Sequence, residues 1–402
     1  MEEEKEEIPR WKVYIFMLLM LLSGSLNTIA NKLQQNTTPL GISYSHHQKF
    51  ITFCMFHGEV VCLILYYLII YRREKSKKNR KLEENQILKD EQTTKKKNNP
   101  QPKFYYFFFP AFFDVLASTS TSISLTYLAP SIYQMFRGAI IIFTCLGSII
   151  FLKTKYHRHH FLGIFIVICG LIIVGLNAVL FDNNKDTEDH PSTGIILVLT
   201  GQIFAASMFI TEEKLLKKFN CHPLKVVGSE GCWGVLTYYL LLILFYNLRC
   251  ENWAKNLKDG ICIENLDGEL RFEDAPFAII QILNDYKLDC ILLLYISSIA
   301  IFNFSGLLVT KHVSSTARTV VDTLRTIIVW VFFLTMPLSI KESFSWLQLL
   351  GFVILIIGSV IFNEIVELHC LGFDKNTKRA KKEREEKNKI QEENNIEETN
   401  DI

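Results

Sequence analysis

The chain lacks most of what a soluble enzyme or a nucleic-acid binder needs. Its 43 Lys and Arg nearly balance 41 Asp and Glu, leaving a net charge of +2. No basic field is therefore available to attract nucleic acid. Its 10 cysteines form no Cys-x-x-Cys pair and no Cys/His metal spacing. Many lie inside apolar runs, where Cys acts as a small hydrophobe. Besides His46–His47, the one His cluster is "HRHH" at His157–His160. It reads as a solvated face at a membrane boundary in preference to a metal site. No metal and no cofactor are expected. No nucleophile stands beside a His, Asp or Glu cluster as a membrane-embedded enzyme would require. The opening "MEEEKEEIPRWK" is acidic and has no clear small-residue cleavage site. The apolar run after it is read as a retained helix and not as a removed signal peptide.

What the chain has instead is apolar length. It holds 402 residues, 49% of them hydrophobic, with 30 Phe. A soluble chain this long would form two domains. Here the apolar residues gather into runs of about 20, and about 20 residues at ~1.5 Å each cross a bilayer's hydrocarbon. Ten runs are predicted to be transmembrane helices: 12–33, 48–71, 104–128, 131–152, 160–181, 193–213, 225–248, 288–310, 316–338 and 345–366. The expected fold class is an all-α integral membrane protein with ten transmembrane helices. Gly, Ser and Thr within the runs suit close helix packing in lipid. "FYYFFF" (Phe104–Phe109) opens the third run as an interfacial anchor.

Loop 72–103 carries 12 Lys and Arg against 5 Asp and Glu. The excess of positive charge predicts that it is cytosolic. Alternation then puts both termini in the cytosol, and the acidic 182–193 and the loop 249–287 on the lumenal side. Residues 1–11 form an acidic cytosolic N-terminus, and 369–402 a charged tail. The tail and the basic loop are expected to be disordered. "EENQIL" (Glu83–Leu88) resembles an acidic-dileucine sorting signal. On the lumenal side, Asn36 heads a glycosylation sequon close to the membrane. Cys250 and Cys262 can form a disulfide in an oxidising lumen, Cys290 being a further candidate and free thiols the alternative. "PFAIIQILNDY" (Pro276–Tyr286) reads as a short interfacial helix.

The chain also repeats itself. One offset, that from 137 to 325, pairs Arg137 with Arg325, Lys153 with Lys341, Gly163 with Gly351 and Gly170 with Gly358. These charged and Gly matches need no gap. The halves, 12–181 and 193–368, then hold five helices each. Five is odd, so the second copy enters the membrane inverted. Inverted repeats are a hallmark of secondary transporters, with the solute site near midplane between them.

Several strings resemble a known family: "GSLNTIANK" (Gly24–Lys32), "MFHGE" (Met55–Glu59), "FPAFFD" (Phe109–Asp114), "SIYQMFRGAIIIFT" (Ser131–Thr144), "EEK…HPLKVVGSEG" (Glu212–Gly231), "SSIAIFNFSGLLVTK" (Ser297–Lys311) and "ARTVVDTLRT" (Ala317–Thr326). They are similar to the drug/metabolite transporter superfamily, and within it to the solute carrier 35 family and its F subfamily. Chloroquine-resistance-type transporters look like more distant relatives. The resemblance implies a solute carrier of endomembranes, lysosome, vacuole or Golgi. Family substrates range from nucleotide sugars to amino acids, peptides and drugs. The expected function is a secondary carrier of small organic solutes working by alternating access, with proton coupling as an option. A nucleotide-sugar exchanger and a non-transporting scaffold are the alternatives. The expected partners are a small-molecule solute and the lipid bilayer, with no nucleic acid, for a chain that is a monomer or a homodimer.

An ionisable group within the membrane is costly unless it faces a cavity or a partner. Candidate cavity residues are Asn27, Asn31, Asp114, Gln134, Arg137, Asn303, Asp322 and Arg325. Asp322 and Arg325 share one helix face at i, i+3, and Gln134 and Arg137 hold the matching positions in the first half. The competing structural reading makes Asp114–Arg137 and Asp322–Arg325 pairs that only lock helices. Glu59 and Glu230, on repeat-equivalent helices and each beside Gly, are the proton-coupling candidates. A structural, hydrogen-bonded Glu is the alternative for each. The glycines spaced by seven, Gly163/Gly170 and Gly351/Gly358, read as packing contacts.

Overall fold

A computed structural model describes residues 9–84, 102–180, 191–219, 221–250, 262–264, 270–335, 345–364 and 384. The acidic loop 182–193 up to residue 190, loop residues 85–101, the tail apart from Arg384, and Lys341 lie outside the described residues. Almost everything described is helix: α1 (Arg10–Gln35), α2 (Gln48–Glu84), α3 (Phe108–Tyr127), α4 (Pro130–Arg137), α5 (Ile140–Leu152), α6 (Arg158–Leu180), α7 (Pro191–Phe219), α8 (Pro223–Asn247), α9 (Ala275–Asn284), α10 (Tyr286–His312), α11 (Ser315–Thr335) and α12 (Trp346–Phe362). A two-stranded antiparallel ribbon, β1 (Ile263–Glu264) and β2 (Leu270–Arg271), is the sheet among the described residues.

Among the described residues, seven spans are long and apolar enough to cross a membrane: α1, α2, α4 with α5, α6, α7, α8 and α10. The chain is thus an all-α, multi-pass membrane protein. α12 has 17 residues, and α11 carries Arg318, Asp322 and Arg325 on one helix. These features keep both below that mark. The predicted run 131–152 is one span in two pieces. Gly138 and Ala139 donate to the carbonyls of Met135 and Phe136, both at 3.0 Å. Such i to i−3 bonds tighten the backbone immediately after Arg137.

The helices pair across the two halves of the chain: α1 with α10, α3 with α7, α2 with α8 and α6 with α12, while α11 lies against α4 and α5. Glycine lets α6 and α12 close on each other. A Cβ on Gly163 would stand 2.8 Å from the Gly358 carbonyl, and one on Gly170 2.9 Å from that of Gly351. On α8, a Cβ on Gly228, Gly231 or Gly234 would strike Leu63, Glu59 or Phe56 of α2. This three-residue spacing is one face of a helix, and it lets the two backbones close on each other.

One end of the bundle gathers two of the predicted lumenal segments, the loop after α1 and the described part of 249–287. Gln281 of α9 donates to the carbonyls of Pro39 and Ile42, each at 3.1 Å. His47 and Glu273 meet at 2.7 Å with both side chains fully buried. Burial, with Cys54 and Glu273 nearby, pushes the Tyr44 phenol well above its ordinary range. Cys250 and Cys262 are joined in a disulfide, and Cys290 is a free thiol. α9 turns Phe277 and Gln281 inward and leaves Ile279, Ile280 and Leu283 exposed, an apolar outer face suited to lipid. Asn36, just past the end of α1, is exposed. At the opposite end His159 meets Glu364 at 2.8 Å and so ties the start of α6 to the end of α12.

Candidate functional site

A cavity of about 810 Å³, its open mouth included, lies between the helix pairs. Of the candidate residues, Asn27, Asn31, Asp114, Arg137, Asn303 and Arg325 line it. Tyr133, Gln202, Tyr295, Phe302 and Phe209 complete its polar and aromatic wall.

Gln134 and Asp322 are placed behind that wall. Gln134 is fully buried and donates to Thr28 at 3.0 Å, binding α4 to α1. Asp322 sits between the two repeat-related arginines. Its Oδ2 accepts from Arg137 Nη2 at 3.2 Å, and its Oδ1 lies 3.1 Å from Arg325 Nε. Of the two pairs in the competing structural reading, Asp322–Arg325 is present. Asp114–Arg137 is not, because Arg137 reaches across to α11 and Asp114 takes a hydrogen bond from Ser118 at 2.8 Å.

One carboxylate thus serves two guanidinium groups. Arg137 also donates to the Tyr133 hydroxyl at 3.3 Å and keeps 22% of its side chain exposed. Arg325 stacks 4.9 Å above the Phe302 ring, and its Nη2 is buried without a partner among the described residues. The absence of a side chain at Gly24 makes this possible. A Cβ there would lie 2.7 Å from Phe302 and 2.8 Å from Arg325. Two guanidinium groups sharing one aspartate leave donors over for an acidic ligand group.

Glu59 and Glu230 do not reach the cavity surface. Asn303, which does, donates to Glu59 Oε1 at 2.5 Å. Around them lies a group the sequence reading passed over, Glu212 of α7 and Arg318 of α11, a fully buried ion pair. Arg318 stacks 3.9 Å over the Phe209 ring of the cavity wall. The predicted sixth run ends at 213 and so sets Glu212 at the membrane edge. α7 continues to Phe219 and carries Glu212 into the bundle. The signal for Arg318 was there, since it stands seven residues before Arg325, two turns along the same face.

Residues 13–366 match the UAA transporter family. The chain belongs to that family. The match runs from α1 past the end of α12 and so covers both arginines and all the carboxyl groups above. Members of this family are membrane transporters, and that is the class of this protein. Over 372 residues the chain is 32% identical to solute carrier family 35 member F6 of Rattus norvegicus, covering 90% of this chain and 92% of that one. The protein of the same name in Mus musculus is 34% identical over 361 residues, 88% of this chain and 89% of the other. That of Homo sapiens is 33% identical over 361 residues, 88% and 90%. The resemblance read from strings such as "SIYQMFRGAIIIFT" and "ARTVVDTLRT" therefore holds along nearly the whole UAA-family chain.

Proposed function

We propose that the protein is a secondary carrier of small organic solutes bearing an acidic group, working by alternating access between two inverted five-helix repeats. The observation that carries this reading is the sharing of Asp322 by Arg137 and Arg325, two residues in equivalent repeat positions that both face the cavity. A carboxylate or phosphate entering the cavity competes for guanidinium donors that the single aspartate leaves over. Exchange of such contacts is what a rocking site requires.

The helix pairing supports the inverted repeat. If α1, α2, α3, α4–α5 and α6 correspond in order to α7, α8, α10, α11 and α12, the symmetry sends α1–α10 into α7–α3. It sends α2–α8 and α6–α12 into themselves. These are the pairs that pack. The glycines support it at atomic scale. Gly163 touches Gly358, the equivalent of Gly170, and Gly170 touches Gly351, the equivalent of Gly163. Such reciprocity characterises a two-fold contact. In this reading the membrane is an endomembrane, the termini and the basic loop face the cytosol, and the disulfide-linked loop faces the lumen.

The test is uptake by proteoliposomes holding the purified chain, using carboxylates, phosphates including nucleotide sugars, and their neutral amide or ester counterparts. Arg137→Gln and Arg325→Gln are each expected to cut uptake of the acids about tenfold or more, the loss of a charge-assisted hydrogen bond. Unchanged flux in both variants, or uptake of the neutral counterparts alone, rejects the assignment.

A further inference from the structure

Beside the cavity, four buried carboxyl groups converge that solute binding does not use. Glu59 on α2, Asp114 on α3, Glu212 on α7 and Glu230 on α8 are all buried. Glu59 meets Asp114, and Glu212 meets Glu230, carboxyl to carboxyl within hydrogen-bonding reach. Arg318 is the cation that faces them, paired with Glu212. It is 0% exposed, and its Nε and Nη2 have no partner among the described residues. Glu59 Oε2 and Glu230 Oε1 are likewise buried without partners among these residues.

The other titratable groups in the neighbourhood do not restore the balance. They are Cys62, which interacts with Glu59, and Tyr238 and Tyr295, which interact with Asp114. None of the three brings positive charge. Glu213 turns away from its neighbour to the Ser315 N–H and Lys217. One guanidinium cannot neutralise four carboxylates in a low-dielectric interior, where uncompensated charge is costly. Two carboxyl groups in contact meet that constraint by holding one proton between them.

The placement of the pairs gives the protons a task. Glu59–Asp114 and Glu212–Glu230 each join the α2–α8 pair of helices to the α3–α7 pair. The glycine face of α8 brings Glu230 up to Glu59. Asp114 is the member of the cluster that opens on the cavity, and Asn303 links Glu59 to the same surface. We propose that the two carboxyl pairs form a proton-binding site, one shared proton each, loaded from the cavity through Asp114, with Arg318 as the fixed counter-charge of Glu212. With its protons the seam between the helix pairs is hydrogen-bonded. Without them like charges in contact push it apart. The acidic side of the membrane loads the site and the less acidic side empties it, so a pH gradient biases the carrier's alternation. This inference rests on the carrier reading above.

The test needs no solute. Infrared difference spectra of the full chain in lipid vesicles are recorded across pH steps, reading the carbonyl stretch of protonated carboxyl groups. The wild type is expected to show such a band that changes with pH. Glu59→Gln and Glu230→Gln are each expected to remove about half of its amplitude, one pair of two, while Glu364→Gln leaves it intact. Thermal melting checks that each variant folds. Should Glu59→Gln not fold, Asp114→Asn reads the same pair. No titrating band, a band untouched by both substitutions, or one that responds to sodium at constant pH overturns the proposal. A chain that shows the band but moves no solute keeps the proton site and fails the carrier reading instead.

Discussion

At the scale of single residues, the site is organised around one carboxylate. Asp322 is 4% exposed and holds the two arginines in position. Asp322→Asn would leave the buried Arg325 and the part-exposed Arg137 facing each other without their shared anion. Removing one partner of a buried ion pair costs about 3–5 kcal/mol. The variant is therefore expected to melt well below the wild type in detergent. Arg325→Gln should melt closer to it, because Asp322 keeps Arg137. Equal melting of wild type and Asp322→Asn would mean that the arginines find other partners. The sequence named both arginines and their aspartate, because charge inside an apolar run is conspicuous. It did not reveal that Arg137 would choose Asp322 over Asp114. That choice depends on how α4 meets α11, and a one-dimensional pattern carries no crossing geometry.

At the scale of helices, glycine decides which surfaces touch. The pairs Gly163–Gly358 and Gly170–Gly351 bring α6 and α12 into backbone contact. The seven-residue spacing was legible in the sequence, though not the partner each glycine would meet. The face Gly228, Gly231 and Gly234 on α8 is where a side chain is least tolerable. A Cβ at 231 would lie 2.6 Å from Glu59 Cβ and 2.8 Å from the Val60 nitrogen. Backbone cannot move aside as a flexible side chain can. Gly231→Val is expected to destabilise the chain by about 1–3 kcal/mol or more through overpacking, measured as a lower melting temperature and lower yield of monodisperse protein. The break after Arg137 belongs to this scale too. The sequence reads 131–152 as one apolar run, because hydropathy does not register a change from i−4 to i−3 hydrogen bonding.

At the scale of the whole molecule, the loop that bears Asn36, the disulfide ribbon and α9 share one end, bound through Gln281 and His47–Glu273. The proposed orientation puts this end in the lumen. Enzymatic removal of N-glycans should then shift the gel mobility of the wild type and not of Asn36→Gln. A sequon inserted at 251–261 should be modified, and one inserted at 85–101 should not. The reverse pattern would invert the topology, and a glycan at both sites would overturn the helix count.

The sequence by itself determined that this chain lies in a membrane as an all-helical bundle, because runs of apolar residues have no other stable place. It also determined the family, and the internal repeat of Arg137 and Arg325, because those are matters of identity and spacing along the chain. Only the tertiary structure decided that one aspartate serves both arginines and that Gln134 packs behind the wall. It alone carried Glu212 and Arg318, from ends of the chain's second half, into one buried cluster with Glu59, Asp114 and Glu230. Contacts of this kind join residues on different helices, 185 positions apart for Arg137 and Asp322, and their energy depends on distance and burial, which exist only once the helices have packed.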